Sequence, residues 1–182
     1  MFFRRLLKPD PVEGTAWTLY GQVVEAARQP GLFRDLGIPD SVDGRFESIV
    51  LHLVLVLRRM KRDFPEGEAL AGALQEAFFA DMDRSLREMG AGDLGVGKRV
   101  QRMAEGFMGR LSSYERALAA GFPGCAEDLK AALIRNAYGT VSDRPPDPQD
   151  LLDYVRTQVE ALDRQPGADL RGGTVDFVLL EA

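Results

Sequence analysis

The chain has 182 residues, 45% of them hydrophobic, 28% charged and 8% aromatic, with 19 Gly and 10 Pro. That length buries about 70% of the surface of the unfolded chain, and the composition excludes collagen-like, low-complexity and wholly disordered classes. With 23 Lys and Arg against 28 Asp and Glu the net charge is -5, which argues against broad attraction to nucleic acid.

Cys125 is the sole cysteine and His52 the sole histidine. An intramolecular disulfide, a four-cysteine zinc site and an HExxH site are therefore impossible, and a reducing compartment is the simplest fit. No metal or cofactor is expected. The longest apolar run, Ile49 to Leu57, contains His52 and falls far short of the roughly 20 residues of a membrane-spanning helix. Residues 1–8 are too short for the apolar core of a signal peptide. The expected location is the cytoplasm, with a flexible basic and apolar terminus over 1–14 and one domain over 15–182.

Apolar positions recur at helical spacing and the breaks fall at Gly and Pro. The pattern predicts an all-α, single-domain bundle of about six helices, with a long connector after the first and an extended carboxyl-terminal tail. The first helix starts at Thr15 as N-cap and stops at Pro30 and Gly31. A connector from Pro30 to Gly44 docks Leu32, Phe33, Leu36 and Ile38. The second helix starts near Arg45 and is apolar around most of its circumference, so it should be central. Its β-branched residues leave a strand reading open over 49–56, against which the basic residues Arg58, Arg59, Lys61 and Arg62 suit a helix C-terminus.

A third helix from about Glu66 to Met89 and a fourth from Gly97 to Ala119 carry continuous apolar stripes. A turn of about seven residues joins them as an antiparallel pair. The fifth runs from about Ala126 to Tyr138. Arg144, Pro145 and Pro146 form an extended link, and Asp147 caps a sixth helix that opens with Pro148. The tail from Thr174 to Leu180 is a short strand or a segment laid in a groove; without an evident partner strand, docking or disorder is favoured over a strand.

Gly90, Gly92 and Gly95 fit G-x-G-x-x-G, and Gly92 to Lys98 fits G-x-x-x-x-G-K. Both motifs need a buried strand in front, whereas an amphipathic helix precedes them, and Arg99 stands where a magnesium-binding Ser or Thr belongs. A nucleotide-binding enzyme using the Gly90–Lys98 turn is therefore the weaker alternative. A helical haem-binding protein is another, and it requires His52 as an exposed axial ligand. Cys125 with His52 as nucleophile and base lacks a third orienting group. Asp81 with Arg84, and Arg84 with Glu88, have the spacing of surface ion pairs.

The run from Phe78 through Asp81, Asp83, Arg84, Leu86, Arg87, Glu88, Gly90, Gly92, Asp93, Gly95, Gly97, Lys98 and Arg99 to Val100, followed by Phe107, Gly109 to Leu111 and Tyr114, resembles the signature of the ubiquinol-cytochrome c chaperone family. The similarity extends to Leu19 and Tyr20, Ala26 to Arg28, Leu32 and Phe33, and His52 to Met60. Ala91 and Met108 depart mildly from the pattern. The resemblance implies an all-helical assembly factor without enzymatic activity that binds newly made cytochrome b on the way to ubiquinol-cytochrome c reductase. In the mitochondrial relatives it also implies a small helical partner and contact with the ribosome.

The expected recognition face is Asp81, Asp83, Arg84, Arg87, Glu88, Gly90, Gly92, Asp93, Lys98, Arg99 and Arg102. An apolar groove with a charged rim should accompany it, because Phe2, Phe3, Phe79 and Met108 lie off the main core faces. Residues 1–8 interleave Phe2, Phe3, Leu6 and Leu7 with Arg4, Arg5 and Lys8. They either rest peripherally on an anionic membrane, at the inner face of the cytoplasmic membrane, or fray.

Overall fold

A computed structural model describes residues 11–63, 65–88, 93–141 and 144–180, with only the helical backbone described over 93–100. Among the described residues there are eight helices and no strand: α1 Pro11–Ala27, α2 Pro30–Arg34, α3 Val42–Lys61, α4 Glu68–Glu88, α5 Asp93–Leu118, α6 Ala126–Arg135, α7 Gln149–Arg164 and α8 Gly167–Arg171. The six expected helices are present, and α2 and α8 are short additions. None of the described helices is long and apolar enough to cross a membrane.

The centre is α3, whose Ile49 to Leu57 are all buried. A helix resolves the ambiguity of that β-branched run because burial on every side suits it and both ends are satisfied. Ser41 Oγ accepts from the Gly44 N–H at 3.1 Å, with Asp43 in the first turn. Helix α3 therefore begins three residues before the expected Arg45; the cap at Ser41 went unrecognised. Gly44 is required there because a Cβ would strike the Pro39 carbonyl. At the other end Arg58, Arg59 and Lys61 complement the dipole. Arg59, nearly buried, donates from Nε to Leu162 O at 2.9 Å and from Nη2 to Gln165 O at 2.9 Å. It thereby closes carbonyls that the end of α7 leaves open.

Around α3, α1 packs along α3 and α4, α4 and α5 lie against each other and against α3, and α6 and α7 complete the far side. Other boundaries differ from expectation too, and α6 ends at Arg135 rather than Tyr138. Thr15 is no cap: α1 begins at Pro11, and Thr15 Oγ1 donates back to Pro11 O at 2.9 Å inside the helix. The connector is partly helical, since Pro30 opens α2 with its preset φ. It then turns at Gly37 (φ 73°) and docks Leu32, Ile38, Phe33 and Leu36, with Tyr138 donating to Leu36 O at 2.6 Å. Helix α5 starts at Asp93, so the junction after α4 is shorter than seven residues and Gly95 and Gly97 are helical. Helix α7 starts one residue later than expected: Pro148 rather than Asp147 is its N-cap and Gln149 its first residue, although Asp147 Oδ1 accepts from the Gln149 N–H at 3.0 Å. The tail is docked rather than paired, and no strand forms over 174–180.

Candidate functional site

The apolar stripes of α4 and α5 point into the bundle, where Met82 and Leu86 are nearly buried while Met103, like Phe46 on α3, stays partly exposed. There, the N-terminal turns of α3, the last turns of α4 and the first half of α5 frame a groove of about 580 Å³. Phe46, Met82, Leu86 and Met103 supply its apolar lining, and Arg28, Asp43, Arg45, Arg102 and Arg110 its charged rim. A depression of about 570 Å³ beside it, lined by Phe33, Arg34 and Asp40 among others, shares Arg28 and Arg45 and extends the basic rim.

The groove rests on a largely buried ion pair. Arg110 donates to both carboxylate oxygens of Glu47 and, from Nη1, to Gly106 O at 3.1 Å. Its guanidinium also lies 5.5 Å from the centre of the Phe46 ring. Burial pushes the Glu47 carboxyl up, while the hydrogen bonds from Arg110 pull the other way. One side chain thus ties α3 to α5 and fixes the aromatic wall. Behind that wall Phe78, Phe79 and Phe107 stack at centroid distances of 5.1 to 5.5 Å. Phe79, expected to be surplus, is therefore partly buried in the core, whereas Met108 is exposed.

The sequence-predicted face is divided. Asp81, Asp83, Arg84, Arg87 and Glu88 occupy the last two turns of α4. Asp81 accepts from the Tyr20 hydroxyl at 2.9 Å and Arg84 sits 5.6 Å above the Trp17 ring, two contacts that seal α4 to α1, while Arg84 also lies 3.9 Å from Asp81 within α4. Burial first, then the Asp81 charge, pushes the Tyr20 phenol up. Arg87 pairs with Asp83 at 2.7 Å on the surface, and that hydrogen bond holds the Asp83 carboxyl down. Gly90 and Gly92 lie outside the described residues. Asp93, Lys98 and Arg99 fall on the first turns of α5, and among the members whose side chains are described Arg102 lies on the groove rim. Residues 1–8 also lie outside the described residues.

Sequence reasoning missed the groove's own lining. Phe46, Met82, Leu86 and Met103 carry the same helical periodicity as the core, and only the ends of the neighbouring helices decide which part of a stripe stays uncovered.

The catalytic candidates weighed from the sequence, His52 and Cys125, are both buried. His52 is fully buried, with Nδ1 2.8 Å from Ser48 O and Nε2 2.7 Å from the Tyr154 hydroxyl. The haem-ligand alternative, which needs that imidazole at the surface, is thereby overturned, and neither ring nitrogen is left to serve Cys125. Cys125 is itself buried, and burial pushes its thiol up, away from the nucleophilic thiolate. The glycine motif follows a helix, not a strand, and α5 begins inside it, so its amides are not aimed from a sheet edge as a phosphate loop requires. Among the described residues no three His, Cys, Asp or Glu side chains gather to hold a metal ion.

Among the described residues the fold and the groove define an all-helical protein with an apolar, basic-rimmed trough on one side. The sequence model of the family described as ubiquinol-cytochrome C chaperone matches residues 34–177, and the chain belongs to that family. It is 27% identical over 157 residues to ubiquinol-cytochrome-c reductase complex assembly factor 1 of Xenopus laevis, covering 85% of this chain and 76% of that one. To the Homo sapiens protein of that name it is 26% identical over 155 residues, covering 85% and 50%. The chain thus spans about half the length of the human and mouse relatives. The crystal structure of the Cbp3 homolog from Brucella abortus superposes with a TM-score of 0.80 at 36% identity, over 92% of this chain and 91% of that one.

Proposed function

We propose that this chain is a non-enzymatic chaperone that binds newly made cytochrome b and promotes its assembly into ubiquinol-cytochrome c reductase. The observation that carries this reading is the groove between α3, α4 and α5, an apolar trough with a basic rim formed by the segments in which the family resemblance is densest. An incompletely assembled membrane protein exposes apolar helix faces, and a water-soluble holder must cover part of them without dissolving them. A cleft of this volume takes a few large side chains rather than a whole helix. That matches docking of one helix face through anchors at i, i+3, i+4 and i+7. Methionines at 82 and 103 suit such a lining because an unbranched thioether adapts to different shapes.

The rim supplies the polar half of recognition. Arg102, with the polar residues Asp81 to Glu88 and the α5 turns that carry Asp93, Lys98 and Arg99, forms the face we assign to the client or to a dedicated helical partner. Residues 1–8 are assigned to peripheral contact with the inner, anionic membrane surface, where each basic residue adds about 1 kcal/mol, or to the ribosome. Deleting the gene tests the function directly. The expected result is loss of cytochrome b polypeptide and of its haem absorbance from membranes, restored by the wild-type gene; normal accumulation of both would refute the proposal.

A further inference from the structure

The tail after α8 is held in an unusual way. Two pairs of glutamines, Gln22 and Gln29 at one edge and Gln158 and Gln165 at the other, are each seven residues apart in the sequence; Gln22 and Gln158 lie within α1 and α7, and Gln29 and Gln165 lie just past the C-terminal ends of those helices. Their side-chain amides grip the main chain of the tail from both edges. Gln22 accepts from the Val175 N–H at 3.0 Å and donates to Gly173 O at 2.8 Å. Across from it, Gln165 accepts from the Asp176 N–H at 3.1 Å and donates to Thr174 O at 3.1 Å. Further along, Gln158 accepts from the Val178 N–H at 2.9 Å and donates to Val178 O at 2.7 Å. Gln29 accepts from the Leu180 N–H at 2.6 Å.

Each pattern is that of a β-ladder with a glutamine amide standing in for a peptide group. Gln22 and Gln165 bond a residue's carbonyl and the N–H two positions on, as a parallel neighbour does, and Gln158 takes both groups of one residue, as an antiparallel neighbour does. The cleft therefore reads main chain. Side-chain selection is confined to Val175, nearly buried, to Phe177, 5.3 Å from the His52 ring, and to Leu180 against Gly31, while Val178 and Leu179 are 41% and 68% exposed. Gln158 and Gln165 are themselves buried beneath the tail, so their amides are satisfied only while an extended chain lies over them. The tail enters from Gly172 and Gly173, the latter at φ 91°, a conformation that glycine adopts without strain.

We propose that the cleft between α1 and α7 is a binding site for an extended polypeptide, that the chain's own tail is its resident occupant, and that a segment of a partner protein with apolar residues at its first, third and sixth positions replaces it. This is strand addition to helices rather than to a sheet edge. It does not depend on the assignment of the client or of the α3–α5 groove.

The test uses the full chain with its own tail weakened by Val175→Ser and Phe177→Ser. A fluorescein-labelled peptide with the sequence of residues 172–180 should bind this variant saturably in anisotropy, about tenfold or more tighter than it binds wild type, whose tethered tail competes. Binding should fall about tenfold with Gln158→Ala added or with the Val178 amide of the peptide N-methylated, as main-chain bonds of about 1 kcal/mol each require. Serines at the peptide's Val178 and Leu179 should leave it within about threefold, because those side chains face solvent. Absence of binding by a variant whose circular dichroism matches wild type, or indifference to Gln158→Ala, overturns the proposal.

Hydrogen exchange of the wild-type chain gives an answer independent of the variant's folding. The amides of Val175, Val178 and Leu180 should exchange by local opening about 100-fold faster than the core amides of α3. Exchange of both sets together, only on global unfolding, would make the tail a fixed part of the fold and overturn the proposal. A concentration-dependent dimer of the wild-type chain that Gln158→Ala abolishes would make the occupant the tail of a second copy and overturn its assignment to a partner protein.

Discussion

His52 titrates near 6.5 in an unfolded chain, and burial in the fold lowers it to about 4. Between those values the unfolded chain holds a proton that the fold rejects, so stability falls as pH drops below about 6.5 and levels out below about 4. At pH 4.5 the loss from this one residue is on the order of 2–3 kcal/mol. Urea denaturation at pH 4.5 and 7.5 should therefore show a smaller difference for His52→Gln, which stays neutral, than for wild type; an identical difference contradicts the assignment. A second pair of residues separates packing from recognition on α4. Asp81→Ala orphans the Tyr20 hydroxyl, 3% exposed as a residue, and should cost about 1–3 kcal/mol. Asp83→Ala removes only a surface pair with Arg87 and should cost under about 0.5 kcal/mol. Equal losses in urea midpoints would show that Asp81 is no more structural than Asp83.

Among the elements, the link between α3 and α5 depends on Glu47 and Arg110. Arg110→Ala leaves a buried carboxylate without its partner and should destabilise the protein by about 3 kcal/mol, the low end for buried pairs because Arg110 keeps 28% of its side chain exposed. Replacing both residues by Met should recover most of that loss; a double variant as unstable as the single one would contradict the account. How much could be read beforehand varies in the same way. The long helices were legible because Leu, Val, Met and Phe recur at helical spacing, and the central place of α3 followed from its apolar circumference. The start of α3 was not, because Ser41 sits in a Gly- and Pro-rich stretch that reads as loop until its hydroxyl is seen on the Gly44 N–H. The start of α5 was hidden by glycines at 95 and 97, which mark turns by propensity yet are carried inside a helix once its apolar stripe packs. The groove was invisible for a different reason: Phe46 and Met103 look like core in any window, and their partial exposure is a property of where other helices stop.

For the molecule as a whole, two sites differ in chemistry. The α3–α4–α5 groove presents side chains, whereas the α1–α7 cleft holds the main chain of the tail through glutamine amides. The two proposals made for them are therefore independent of each other. The resemblance to the chaperone family was legible as the acidic, basic and glycine run from Asp81 to Arg99, although Asp81 and Arg84 turn their side chains to α1. Such a run reports which protein this is more directly than which atoms meet the client. The most direct measurement is site-specific photocrosslinking in living cells from position 103, inside the groove, with position 179 on the exposed tail as reference. The account predicts an adduct with cytochrome b from position 103 that grows when cytochrome b synthesis is induced and fades when assembly is complete. Cytochrome b captured from position 179 but absent at position 103, or absent from both while it accumulates normally in membranes, would contradict it.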